Sequence, residues 1–256
     1  MGKIIAIFNQ KGGVGKTATA VNLSASIATR KKHVLLVDID PQGNATGGSG
    51  IEKTELEATV YDLLTKEITD AGEIIQKTAV KNLDFLPSNY DLAGAEIELV
   101  NEEKREYRLK DVLTPLKENY DYIFIDCPPT LGLLSINALA AADSVLIPIQ
   151  CEYYALEGVS DLINTINLVK SGTNPDLEVQ GIVLTMFDRR TNLSVQVVEE
   201  VKKHFADKLY KTVIPRNIRI AEAPSYGKPI CAYDSLSKGA RAYMDLAKEF
   251  IKKDTK

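Results

Sequence analysis

The chain has 256 residues, 45% hydrophobic and 26% charged, which suits one large α/β domain with a proper core and a charged surface. Its formal net charge of −4 excludes a global pull on nucleic acid, so any such contact must come from a local patch. Cys127, Cys151 and Cys231 form no C-x-x-C pair, which argues against a disulfide framework or zinc site and for a reduced, cytoplasmic protein.

The first predicted element is an apolar strand, Ile4–Phe8, too short for a signal peptide. Residues 9–17 follow it as Asn-Gln-Lys-Gly-Gly-Val-Gly-Lys-Thr, and a helical pattern covers 17–30. Strand, glycine-rich loop and helix together form the setting of a phosphate-binding loop. Backbone N–H groups of Lys11, Gly12, Gly13, Val14, Gly15, Lys16, Thr17 and Ala18 can turn toward phosphate oxygens, helped by the positive end of the helix. Lys16 can then reach the β- and γ-phosphates, and the Thr17 hydroxyl can ligate Mg²⁺. The usual spelling is broken in one place: Gln10 stands where a glycine is expected, and a second lysine, Lys11, opens the loop.

Further strands are expected at Val34–Asp38, Leu83–Leu86, Tyr122–Asp126, Ser144–Ile149, Gln180–Met186 and Thr212–Ile214. Several are apolar at consecutive residues, as when both faces are buried. Helical patterns lie between them at 91–118, 132–141, 156–171, 193–207 and 238–252. The alternation predicts an α/β fold, a mostly parallel twisted sheet with helices on both faces, with ligands at the carboxyl ends of its strands. Two strands end there in acid, one in Asp38-Ile39-Asp40 and the other in Asp126-Cys127-Pro128-Pro129. A carboxylate at such a place can hold a water ligand of Mg²⁺ or orient an attacking water; a helix cap or turn is the plainer use of the same residue. Asp126 is expected to reach the metal through water.

The loop Lys-Gly-Gly-Val-Gly-Lys-Thr resembles the deviant Walker A motif of the ParA/MinD family of P-loop ATPases. The segments 38–46, 126–129, 148–158, 184–192 and 213–230 resemble its chromosomal ParA group, of Soj type. The resemblance runs over nearly the whole chain. It implies a slow, partner-stimulated ATPase that uses ATP and Mg²⁺, forms an ATP-bound homodimer, and binds double-stranded DNA without sequence preference. It further implies a ParB-type centromere-binding partner, a nucleoid-associated location, a role in chromosome or plasmid partitioning, and an influence on the replication initiator DnaA. By motif, Lys11 would reach the partner subunit's phosphates, and Lys16 and Thr17 would serve nucleotide and metal. Asp40 would position the hydrolytic water with Asp38 supporting it, and Pro215, Arg216 and Asn217 would border adenine or ribose. Arg190 and Arg219, with Arg189, would meet DNA phosphates.

The family's loop usually continues with three threonines, whereas here Ala18 interrupts them. The missing hydroxyl is worth at most about 1.5–3 kcal/mol toward a charged phosphate, so weaker nucleotide binding is expected rather than none. A MinD-like membrane-cycling ATPase is the alternative, and it needs an amphipathic tail that inserts into lipid. The tail from Leu246 onward fits the end of a core-facing helix better, so no membrane partner is expected. A cluster-bearing redox relative and an amide-forming P-loop enzyme are more remote alternatives. The turn Glu152-Tyr153-Tyr154 fits an interface or a packed loop equally well.

Overall fold

The computed structural model describes residues 1–152 and 155–254. Tyr153 and Tyr154 of the turn, and Thr255 and Lys256 of the tail, lie outside the described residues. Seven strands form one sheet among the described residues: β1 (Lys3–Ile7), β2 (Val34–Asp38), β3 (Gln76–Lys77), β4 (Leu83–Leu86), β5 (Tyr122–Asp126), β6 (Ser144–Gln150) and β7 (Glu178–Thr185). Their order is β3-β4-β2-β5-β1-β6-β7, and every neighbouring pair is parallel except β3 with β4.

Side chains alternate between two cores. Ile4, Ala6, Leu35, Val37, Ile123 and Ile125 face one side of the sheet, while Ile5, Ile7, Leu36 and Phe124 face the other. Both sides being dry explains why these strands read as unbroken apolar runs. On the second side lie α1 (Lys16–Ala28) and α2 (Asn44–Gly48). The first side is covered by α3 (Val60–Thr65), α4 (Leu92–Glu98), α5 (Arg108–Leu116), α6 (Leu133–Ala141), α7 (Ala155–Gly172) and α8 (Asn192–Phe205). The chain ends with α9 (Ile218–Glu222), α10 (Ile230–Tyr233) and α11 (Lys238–Asp254). The apolar stripe of α11, Tyr243, Leu246, Ala247 and Phe250, is buried in the second core. That face is therefore already used and is not free to enter a lipid surface.

Two expectations need correction. The helix foreseen over 91–118 is two helices, α4 and α5, separated by short 3-10 turns. The break centres on Asn101–Lys104, where Lys104 takes a left-handed φ of 56°. The Thr212–Ile214 segment is not a sheet strand. It runs beside β7 and its extension through Ile214 N–H to Leu184 C=O at 2.8 Å and Phe187 N–H to Ile214 C=O at 3.0 Å. The two-residue edge strand β3 carries too little pattern to be seen in sequence.

Candidate nucleotide-binding and hydrolytic site

The loop 9–15 joins β1 to α1. Gly13 and Gly15 have φ of 78° and 89°, values open to glycine at little cost. Gly15 is the N-cap of α1 and offers no side chain, so the first N–H groups of this 13-residue helix are left for a ligand. The loop is pinned from outside. Asn9 Nδ2 donates to Pro148 C=O at 2.8 Å, and Asn9 Oδ1 accepts from Lys11 N–H at 2.9 Å. Thr185 Oγ1 donates to Val14 C=O at 2.8 Å, tying the loop to the end of β7.

Lys16 is buried and its Nζ donates to Lys11 C=O at 3.0 Å, across the mouth of the loop. Burial pushes this ammonium down from its ordinary value, while Asp126, Cys127 and Asp40 pull it back up. A cation held this way has few competing partners and gains much from an arriving phosphate. Lys11, at the outer lip, is half-exposed and forms an ion pair with Glu152 just beyond β6.

The two acidic strand ends meet: β2 and β5 pair in register, with Asp38 opposite Asp126. Both carboxyls are fully buried, yet their surroundings differ. Asp38 accepts from Thr46 N–H at 2.9 Å, Thr46 Oγ1 at 2.8 Å and Asp40 N–H at 3.1 Å. Among the described residues Asp126 has no hydrogen-bond partner at either oxygen. The Thr17 hydroxyl lies close enough to favour its charged form without being aligned as a hydrogen bond. Burial, then repulsion from Asp38, holds Asp126 well above the usual carboxylate range; burial likewise pushes Asp38 up to about 6. A buried carboxylate without a donor is costly unless a cation or water meets it.

That orphaned pair of oxygens fits a hydrated Mg²⁺ beside Thr17 and Lys16. Among the described residues no three His, Cys, Asp or Glu side chains gather as a metal cage. The donor set is thus one that leaves most ligands to phosphate and water, which is the habit of Mg²⁺. Asp40 sits nearby, nearly buried, with its carboxylate accepting from Gln42 N–H at 3.0 Å and its carbonyl accepting from Ser88 Oγ at 2.9 Å. Asp38 therefore acts on the turn that carries Asp40, not as a free acid.

A cavity of about 800 Å³ opens beside the loop, within the size range of small-molecule sites. Gly15, Thr17, Ala18, Pro215, Arg216 and Asn217 line it, so the loop and the three expected base-side residues share one pocket. Sequence reasoning missed Asn22, Met186, Lys228 and Tyr243 on its wall. Of these only Met186 carries a local signal, a left-handed φ of 52° at the end of β7, and that is visible only in the backbone.

A second cavity of about 720 Å³ abuts the first through Pro215 and Arg216. Arg189, Arg190, Arg216, Lys238 and Arg241 line it with Asp188 and Asp245. Arg219 is not on its wall. Two of the three expected phosphate-contacting arginines are engaged with acids: Arg190 pairs with Asp188 at 2.7 Å, and Arg219 with Glu222 at 2.9 Å and Asp234 at 3.7 Å. Arg190 holds the Asp188 carboxyl down at about 2. These pairs are exposed, and such pairs are worth about 0–1 kcal/mol, so DNA phosphate could replace them cheaply.

A parallel sheet, a phosphate loop entering a buried helix start, and two carboxylates on the adjoining strands define a P-loop nucleotide-binding ATPase. Comparison with known proteins narrows the class. An AAA domain family model, AAA_31, matches residues 2–179. The chain is 64% identical over 249 residues to the sporulation initiation inhibitor protein Soj of Bacillus subtilis, covering 97% of this chain and 98% of that one. It is 55% identical to the chromosome partitioning protein ParA of Myxococcus xanthus, covering 100% and 90%. A solved structure of cobyrinic acid a,c-diamide synthase from Mycobacterium smegmatis, with bound ADP and magnesium, superposes with a TM-score of 0.84 at 36% identity, covering 100% and 96%. The chain belongs to the ParA/MinD family of deviant Walker A ATPases, on its Soj/ParA side.

Proposed function

We propose that this protein is an ATP-driven dimerisation switch for chromosome or plasmid partitioning. ATP with Mg²⁺ occupies the loop and the 800 Å³ cavity, and two ATP-bound copies close on each other. The closed pair binds double-stranded DNA through Arg189, Arg190 and Arg219, and a ParB-type partner speeds hydrolysis to release it. An influence on DnaA belongs to the same reading. The likeness to Soj and ParA over the full chain supports the partitioning role.

Within one subunit the chain's residues divide the work. The loop N–H groups and Lys16 bind and orient the phosphates. Thr17, and Asp126 through water, would hold Mg²⁺, which would supply neutralisation of the phosphate charge. Asp40 holds the attacking water, and Asp38 with Thr46 fixes the turn on which Asp40 sits. Asp40 orients water well but is a weak acceptor of its proton, which accounts for slow unstimulated turnover.

Lys11 completes the site across the interface. Its ion pair with Glu152 in the single chain is half-exposed and weak enough to exchange for a facing triphosphate. The observation that carries the proposal is the second lysine at the outer lip of a loop whose phosphates already have Lys16. The test is DNA binding and oligomeric state measured side by side with ATP, ADP and no nucleotide. DNA-bound dimers are expected with ATP alone, and equal DNA binding in all three conditions refutes the switch.

A further inference from the structure

We propose that the exposed face of the segment 90–100, together with Leu131, docks an amphipathic segment of a partner protein that is apolar on one side and edged with lysine or arginine. Tyr90, Ile97, Val100 and Leu131 are 74%, 77%, 52% and 45% exposed. Large apolar side chains this open on neighbouring elements are unusual for a surface that stays in water.

The face is continuous. Ala93 N–H donates to Tyr90 C=O at 3.1 Å, so the helical turn begins at Tyr90. Tyr90, Ala93, Ile97 and Val100 then recur at helical spacing on one side of α4, while Leu92, Ala95 and Leu99 fill the core from the other. Leu131 stands beyond the Glu96 edge of the stripe: its neighbour Gly132 lies against the Glu96 carboxylate, and Leu134 N–H donates to Glu96 Oε1 at 3.4 Å.

Charge names the occupant. Glu96 and Glu98 flank the stripe on its two sides, and Asp91 stands near its start; at the far end the Arg105 guanidinium donates to Val100 C=O and pairs with Glu106, so the acidic rim lies along the sides and start of the stripe. Glu98 is held in place by Tyr61 Oη at 2.9 Å. An apolar stripe with acidic edges fits an apolar stripe with basic edges, and a charged rim of opposite sign also speeds encounter.

The face lies within reach of the hydrolytic turn. Ser88, two residues before Tyr90, donates its N–H to Thr46 Oγ1 at 3.0 Å and its hydroxyl to Asp40 C=O at 2.9 Å. Thr46 in turn holds Asp38. Leu131 follows Asp126 by the rigid Pro128-Pro129 exit. A partner seated on this face therefore touches the segment that hydrogen-bonds the Asp40 turn and the loop that follows Asp126. What docking does for turnover rests on the ATPase reading above; docking itself does not.

The test uses the full chain and a fluorescent peptide of about 18 residues, with leucines at i, i+3, i+4 and i+7 spacing and lysines elsewhere. A copy with glutamate for every lysine is the control. Anisotropy should show the lysine peptide binding the wild-type protein, the glutamate peptide failing, and added salt weakening the complex. Ile97→Ser with Val100→Ser should weaken binding by roughly tenfold or more, and Glu96→Gln with Glu98→Gln by a smaller factor. These side chains are at the surface, and melting curves check that the variants fold. No binding to wild type, equal binding of both peptides, or unchanged binding by both double variants overturns the proposal. A wild-type dimer free of nucleotide that Ile97→Ser dissolves would place a second copy on the face and overturn it too. Absence of ATP hydrolysis in the wild type would remove the ATPase reading while leaving the binding result intact.

Discussion

Replacing Asp126 by asparagine should make the empty protein more stable and the loaded protein relatively weaker. In-register residues on paired strands lie about 4.8 Å apart, and two carboxylates near 5 Å repel by about 3 kcal/mol at an effective dielectric of 20. Asp38 and Asp126 stand in that relation, fully buried; Asp38 accepts three hydrogen bonds, whereas among the described residues Asp126 has only the nearby Thr17 hydroxyl. The asparagine side chain would exchange repulsion for an amide donor facing Asp38, while Lys16 loses part of its compensation. A net gain of roughly 1–3 kcal/mol follows, or about 2–10 °C in Tm for a chain of this size. With saturating Mg²⁺ and ATP the order should narrow or reverse, since a ligand at 100 times its Kd adds about 2.7 kcal/mol and the variant binds the metal less well.

The pH dependence has a definite sign. Both carboxyls have raised folded values, so their contribution to stability is fully present below the ordinary carboxylate range. It is lost as pH rises through the folded values, the lower of which is near 6 for Asp38. The advantage of Asp126→Asn should therefore shrink as the pH is lowered from about 8 to about 5. Calorimetry with and without Mg-ATP across that range is the assay. A variant less stable when empty, with an unchanged Mg-ATP shift, would refute the view of Asp126 as an uncompensated charge awaiting a cation.

Lys11→Ala should leave nucleotide binding by the single chain within a few-fold of wild type and abolish ATP-dependent dimers in light scattering; normal dimers would remove its role in trans. Arg219→Glu should eliminate binding to random-sequence DNA at moderate salt while dimers persist, and normal DNA binding would move the patch elsewhere. Asp188→Asn should free Arg190 and strengthen DNA binding by up to about fivefold, in keeping with an exposed pair worth under about 1 kcal/mol; a fall in affinity would mean that the pair positions Arg190 for DNA. Ala18→Thr should raise ATP affinity in calorimetric titration, by about tenfold to about a hundredfold at most, and an unchanged value would show that the hydroxyl has no phosphate to meet.

The parts of this fold that were legible in sequence are those governed by local chemistry. The bounds of β2, β4 and β5 follow from apolar runs that both cores demand, and the loop 9–17 announces itself by glycines and lysines that no strand or helix would tolerate together. The 91–118 region misled because Leu92, Leu99, Leu109 and Leu113 keep a helix-like apolar rhythm across a break made by the backbone of Lys104. The companions of the site were beyond reach for another reason. Glu152 beside Lys11, Ser88 beside Asp40 and Asp38 opposite Asp126 are brought together only by strand order. The arginines expected to meet DNA were readable as basic residues, but the pairing of Arg190 with Asp188 and of Arg219 with Glu222 and Asp234 was not.

The central claim is that bound ATP joins two copies of this chain, each closing the other's site with Lys11. Light scattering of the purified protein with Mg²⁺ and a non-hydrolysable ATP analogue measures it most directly. The mass should double relative to ADP or no nucleotide. A mass that stays that of one chain at saturating analogue would contradict the account.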